Sequence, residues 1–187
     1  RIWIYHHSHD GKYRCADIPA VMLPPGSGPR SLIFDAARNI AFCLNELSST
    51  IVQYRYDPHD GMLHPHKQVS TLPEGVHTPN LASEIQLHDV HVIAANRGHD
   101  SLILLKYDDA GFSHDARWVE SNGSVPRSLC VLAGREGAEG CLAVANRASD
   151  SVVLFTMGAD RLLPVRELRI PRPACVRVIP APDENED

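Results

Sequence analysis

The chain has 187 residues and a mass of 20.6 kDa, enough for one sizeable hydrophobic core or two small ones. Its 43% hydrophobic and 22% charged residues exclude wholesale disorder. Its 18 lysines and arginines against 23 aspartates and glutamates exclude a generic basic coat for nucleic acid, and no apolar run approaches the roughly 20 residues that span a bilayer.

Two short runs open the chain, 2–5 and 13–18, around a turn at His9-Asp10-Gly11, and read as a strand pair. The cluster His6-His7-Ser8-His9 falls on the corner of that pair. It has no Cys-x-x-Cys or His-Glu-x-x-His partner, so it reads as a solvated loop, as do His59, His64 and His66. From residue 28 onward the chain repeats itself. Asn45-Glu46-Leu47-Ser48-Ser49-Thr50, Asn96-Arg97-Gly98-His99-Asp100-Ser101 and Asn146-Arg147-Ala148-Ser149-Asp150-Ser151 align, the asparagines standing 51 and 50 residues apart. Upstream of each lies a second match: Gly28-Pro29-Arg30-Ser31-Leu32, Leu81-Ala82-Ser83-Glu84-Ile85 and Val125-Pro126-Arg127-Ser128-Leu129.

Each repeat holds four short apolar runs bounded by turn residues; in the middle one they are 84–87, 90–95, 101–107 and about 116–120. No segment has helical period and length. Four antiparallel strands recurring about every 50 residues make the blade of a β-propeller, so the fold class is all-β. The expected layout is a single partial propeller domain: half-blade 1–27, blades about 28–78, 79–124 and 125–172, a closing strand 173–179 and an acidic tail 180–187 carrying Asp183, Glu184, Glu186 and Asp187. The start at Arg1, with no methionine, reads as a piece whose beginning is missing. Cys15, Cys43, Cys130, Cys141 and Cys175 are odd in number and scattered, which suits small core residues in a reducing compartment and an expected cytoplasmic location.

In a four-stranded blade the entry to the innermost strand and the loop after the second strand share one face of the disc. Arg30, Ser31, Glu84 and Arg127 are of the first kind; Glu46, Arg97, His99 and Arg147 are of the second. Several arginines and two glutamates thus gather at one mouth, which suits a small anionic ligand. The asparagines, with Asp100 and Asp150, read mainly as turn formers. Arg30 and Arg127 read equally as pocket groups or as inter-blade ion-pair formers. Glu84 stands where the sister repeats carry Ser31 and Ser128, and a carboxylate at a small-residue position reads as functional. No Gly-rich phosphate loop and no Gly-x-Ser-x-Gly elbow occurs.

The strings Gly28-Pro29-Arg30, Asn45-Glu46-Leu47-Ser48-Ser49-Thr50, Leu72-Pro73-Glu74-Gly75, Ser83-Glu84-Ile85, Asn96-Arg97-Gly98-His99-Asp100-Ser101, Pro126-Arg127 and Pro173-Ala174-Cys175-Val176-Arg177 resemble the lactonase family of seven-bladed propellers. That family includes propeller-type 6-phosphogluconolactonases and carboxymuconate lactonizing enzymes, and the match corresponds to the C-terminal half of a member. The resemblance implies seven blades, hydrolysis of 6-phosphogluconolactone in the pentose phosphate pathway, and no metal or other cofactor. It implies that Glu84 orients or deprotonates the attacking water and that Arg97 and Arg127 hold the oxyanion or phosphate. Arg30, Ser31, Glu46, His99, Arg147 and Arg177 complete the implied substrate pocket. Ser31 stands where the family carries a histidine, and His99 and His77 are the candidates to replace it. Two alternatives are a carboxymuconate-type cycloisomerase and a catalytically lapsed propeller serving as a binding platform. The expected partner is a small anionic sugar lactone, with no nucleic acid and no membrane; the oligomeric state is left open.

Overall fold

The runs 40–44, 92–95 and 142–145 contain no polar residue, so strands formed there must be covered on both faces. In the computed structural model, which describes residues 1–113, 115–132, 134, 140–158 and 161–179, those runs are the second strands of three antiparallel sheets. A strand pair, β1 (Ile2–His7) and β2 (Tyr13–Val21), precedes them. The first sheet runs β3 (Pro29–Asp35), β4 (Ile40–Asn45), β5 (Thr50–Tyr56) and β6 (Leu63–Ser70) in spatial order. The second runs β7 (Leu81–His88), β8 (His91–Arg97) and β9 (Ser101–Asp108), with β10 (Gly111–Phe112) and β11 (Arg117–Glu120) both pairing β9. The third runs β12 (Pro126–Leu132), β13 (Gly140–Asn146), β14 (Ser151–Gly158) and β15 (Arg161–Arg169). No helix occurs among the described residues.

Side chains alternate across each second strand and feed two different cores. Ile40, Phe42 and Leu44 join Val92 and Ala94 between the first two sheets, whereas Ala41 and Cys43 face back toward Val21, Ile2 and Ile4 of the strand pair. Ile93 and Ala95 join Leu142 and Val144 between the second and third sheets, and Ala143 and Ala145 lie in a fourth cluster with Val176. The sheets therefore stack face to face through a row of cores, as blades do.

The segment 173–179, expected as a closing strand, forms no strand. An innermost strand needs a neighbour to complete its ladder, and none stands beside it among the described residues. It is held instead by side-chain bonds: the Val176 N–H donates to Ser128 Oγ at 3.3 Å, and Arg177 Nη1 donates to the same oxygen at 3.1 Å. The expected acidic tail 180–187 lies outside the described residues.

On the face carrying the β3–β4 and β9–β10 turns, the first two blades are tied by Asp35. Its carboxylate accepts from Tyr107 Oη of the second blade at 2.9 Å and from Arg38 Nη1 at 2.7 Å. Burial opposes its ionisation, but the two donors outweigh burial and hold the carboxyl below the usual aspartate range. A depressed carboxyl stabilises the fold above its unfolded pKa, and that contribution is lost as pH falls through the folded value. Asp35→Asn is therefore expected to unfold at lower urea than the parent at pH 7. The gap should narrow toward pH 3, and a gap independent of pH would refute the tie.

Candidate functional site

The mouth is built at the opposite face, where β3, β7 and β12 begin and β4, β8 and β13 end. The start of each innermost strand is bulged: the register slips between Pro29 and Ser31, between Ala82 and Ile85, and between Pro126 and Ser128. The extra residue lets one side chain turn away from the ladder. Aligned on the asparagines, Arg30, Ser83 and Arg127 are equivalent, as are Ser31, Glu84 and Ser128, and as are Glu46, Arg97 and Arg147.

The backbone beneath these residues is fixed by polar ties repeated from blade to blade. Ser49, Asp100 and Asp150 take the same left-handed turn, with φ of 51°, 52° and 51°. The carbonyls of Ser49 and Asp100 accept the N–H groups of Thr71 and Ser121, and that of Asp150 accepts the N–H of Ile170. Asn96 Nδ2 donates to the Thr71 carbonyl at 2.8 Å, and Asn146 Nδ2 to the Ser121 carbonyl at 2.9 Å. Asn96 and Asn146 thus tie the second strands of their blades to the segment after the preceding fourth strand, a longer reach than a turn requires, whereas Asn45 Nδ2 donates to Thr50 Oγ1 within its own blade at 3.0 Å. The carboxylate of Asp100 caps the Val125 N–H at 2.9 Å and that of Asp150 caps the Arg172 N–H at 2.8 Å. Val125 sits at φ 59°, costly for a β-branched residue, where its counterpart is Gly28 at φ 64°. Gly98 is required on steric grounds, since a Cβ there would lie 2.2 Å from the Pro79 carbonyl oxygen.

Two carboxylates occupy the mouth in different ways. Glu46 is clasped between Arg97 of the second blade and Arg30 of its own, which lies 3.3 Å away. Burial resists its ionisation, but the hydrogen bond from Arg97 and the charge of Arg30 overcome that and keep the carboxyl below its ordinary range. Arg30 Nε also donates to the Ser83 carbonyl at 2.5 Å, and Ser83 Oγ passes a bond of 2.5 Å to the Pro126 carbonyl. Glu84, with 18% of its side chain exposed, lies 3.5 Å from Arg177 of the C-terminal segment. His99 is held with Nδ1 2.7 Å from Ser101 Oγ.

The expected site residues therefore divide. Arg30, Glu46 and Arg97 form one ion-pair network, and Glu84 and Arg177 form another. Ser31 lines a cavity of about 200 Å³ with Arg30, Leu32 and Arg1. Arg127 and Arg147 are half-buried and make no side-chain hydrogen bond or ion pair among the described residues. They occupy the positions where the first blade has the neutralising pair Arg30 and Glu46. Two cations without counter-charge at one blade edge are a standing attraction for an anion. Ser83 and Ser128 escaped sequence reasoning as site residues; their signal was their place on the bulge, beside the repeated arginines. Among the described residues no group of three or more His, Cys, Asp or Glu side chains is placed to hold a metal ion.

The family described as "Lactonase, 7-bladed beta-propeller" matches residues 1–178. A 6-phosphogluconolactonase of Bacillus subtilis is 29% identical over 164 residues, covering 83% of this chain and 45% of that protein. An uncharacterized protein of Lactococcus lactis subsp. cremoris is 32% identical over 133 residues, covering 70% of this chain and 38% of that one. Among solved structures, a Lactobacillus plantarum protein superimposes with a TM-score of 0.82 at 23% identity, over 92% of this chain and 50% of that one. The periplasmic gluconolactonase of Pseudomonas aeruginosa gives 0.80 at 24%, over 92% and 49%. The chain spans about half the length of these relatives or less. It belongs to the seven-bladed lactonase propeller family.

Glu46→Ala would leave the Arg97 guanidinium, only 12% exposed, without its counter-charge. The expected loss is about 1–3 kcal/mol of stability by urea denaturation, and an unchanged midpoint would show that the clasp contributes nothing.

Proposed function

We propose that, within the lactonase propeller family, this mouth binds and hydrolyses a sugar lactone, with 6-phosphogluconolactone as the preferred substrate and 6-phosphogluconate as the product. The observation that carries the reading is the pair Arg127 and Arg147, without an ion-pair partner among the described residues, on the same face of the blades as a half-buried carboxylate, Glu84, at the bulged entry of the neighbouring blade. The curated 6-phosphogluconolactonase among the relatives supports the choice of substrate.

In this mechanism Glu84, kept in place by Arg177, accepts a proton from water as the water oxygen attacks the lactone carbonyl carbon. The carbonyl electrons move onto oxygen, and the resulting oxyanion is stabilised by an arginine donor, for which Arg127 is the assigned residue. Collapse of the tetrahedral species breaks the bond from the carbonyl carbon to the ring oxygen, and the proton on Glu84 passes to that oxygen. Atoms balance as lactone plus water giving the hydroxy acid. Arg147 holds the phosphate, where a guanidinium fork suits two oxygens. Arg97 is engaged by Glu46, so its role shifts from direct contact to positioning of the blade edge.

One observation favours a second reading, a lapsed propeller that only binds: Ser31 cannot titrate near neutral pH where a histidine would. Turnover of freshly generated 6-phosphogluconolactone, corrected for spontaneous opening, separates the two. Glu84→Gln is expected to lower kcat at least about 100-fold while leaving product binding within a few-fold. Arg147→Ala should raise KM for the phosphorylated lactone about tenfold or more but leave that for plain gluconolactone nearly unchanged. A folded parent chain without turnover would favour the binding platform, and muconate cyclisation in its place would favour the cycloisomerase.

A further inference from the structure

The peptides that lead into Glu84 and Arg127 are held by one arrangement repeated from blade to blade. Arg30 Nε of the first blade donates to the Ser83 carbonyl at 2.5 Å, and that carbonyl belongs to the peptide entering Glu84. Ser83 Oγ of the second blade donates to the Pro126 carbonyl at 2.5 Å, and that carbonyl belongs to the peptide entering Arg127. Ser83 is only 1% exposed. Its hydroxyl also lies 3.4 Å from the Ala95 carbonyl, but a hydroxyl has one proton to donate and the shorter contact takes it.

At this position the copies differ. Ser83 is equivalent to Arg30 and Arg127, so the shared scaffold does not demand a serine there. What the serine does is reach the third blade. The register slips between Pro126 and Ser128, so Arg127 stands out of the ladder. Val125, two residues earlier, sits at φ 59° with its N–H bonded to the Asp100 carboxylate. Arg127 has no side-chain hydrogen bond or ion pair among the described residues, whereas Arg30 is fixed by Glu46 and by the Ser83 carbonyl. The direction of Arg127 is therefore set from its backbone, and the Ser83 hydroxyl grips the peptide immediately before it.

We infer that Ser83 is a positioning residue for the mouth: through the Pro126 carbonyl it sets the direction in which Arg127 projects, and it ties that arginine to the entry that carries Glu84. The inference rests on the function proposed above, in which Arg127 receives the oxyanion and Glu84 the proton of water. Ser83 touches neither substrate nor product in this scheme. Its hydroxyl acts on the placement of the donor, and a donor even slightly misplaced stabilises the developing charge less.

The test compares Ser83→Ala, Arg127→Ala and the double variant of the full 187-residue chain in turnover of freshly generated 6-phosphogluconolactone. Ser83→Ala is expected to lower kcat about tenfold or more while KM stays within about threefold, because Arg147 holds the phosphate. In the Arg127→Ala background the same change should alter kcat less than about twofold. A general loss of packing would instead lower activity alike in both backgrounds. A second readout does not depend on turnover: phenylglyoxal modifies guanidinium groups, and peptide mass spectrometry follows Arg127 and Arg147 separately. Ser83→Ala should raise the rate at Arg127 about fivefold and leave that at Arg147 within about twofold. Equal loss of kcat in the two backgrounds, or an unchanged rate at Arg127, overturns the inference. A parent chain without turnover whose Arg127 rate still responds to Ser83→Ala counts against the proposed reaction alone and upholds the grip of Ser83 on Arg127.

Discussion

Everything in this molecule depends on second strands that bury both faces. Because β4, β8 and β13 alternate their side chains between two cores, no blade owns a core of its own. The core between the first two blades takes Ile40, Phe42 and Leu44 from one and Val92 and Ala94 from the other; removing either blade would expose the remainder. Stability is therefore a matter of nearest neighbours, as in other repeat architectures. The strand pair β1–β2 follows the same logic, since Ile2, Ile4 and Val21 cover the outer face of the first blade.

Apolar stacking fixes the spacing of blades but is non-directional, and the mouth needs direction. The polar ties supply it. Asn96 and Asn146 reach back to the carbonyls that follow the preceding blade, while Asp100 and Asp150 cap the N–H groups at the entries that follow them. The ties of Asn96, Asn146 and Asp100 cross from one blade to its neighbour and that of Asp150 reaches the C-terminal segment, so the bulged entry at Arg127 is positioned by the assembly and not by a single sheet. The strained φ of Val125 belongs to this system: the bond from Asp100 holds the residue immediately before Pro126 and Arg127 in a conformation it would otherwise avoid.

Much of this was legible in the sequence because repetition is legible. The spacing of Asn45, Asn96 and Asn146 marked the blade, and the apolar runs marked strands whose positions agree closely with β7, β8, β9 and β11. What escaped was long-range pairing. That Glu46 would be consumed by Arg97 and Arg30, leaving Arg127 and Arg147 unpaired, depends on which blades touch, and no spacing within one repeat encodes it. The segment 173–179 was misread for a related reason: its composition suits a strand, but a strand exists only with a partner to complete its hydrogen bonds. The inter-blade bonds of Asn96 and Asn146 were likewise hidden, because a turn-forming asparagine and an inter-blade donor look the same in sequence.

A repeat also carries its own control experiment, because equivalent positions share backbone geometry and differ only in side chain. Where all copies agree, as at the asparagines, scaffold chemistry is the sufficient explanation. Where one copy departs, the shared scaffold does not demand the change, and what that side chain touches decides its role. Glu84 against Ser31 and Ser128 is such a departure, Arg147 and Arg97 against Glu46 is a second, and Gln53 against Leu104 and Leu154 is a third. The first two fall on one face and assemble into a charged mouth. The third falls on the other face, where Gln53 Nε2 donates to the Asp108 carbonyl of the second blade at 3.0 Å, a tie between blades that leucine could not make.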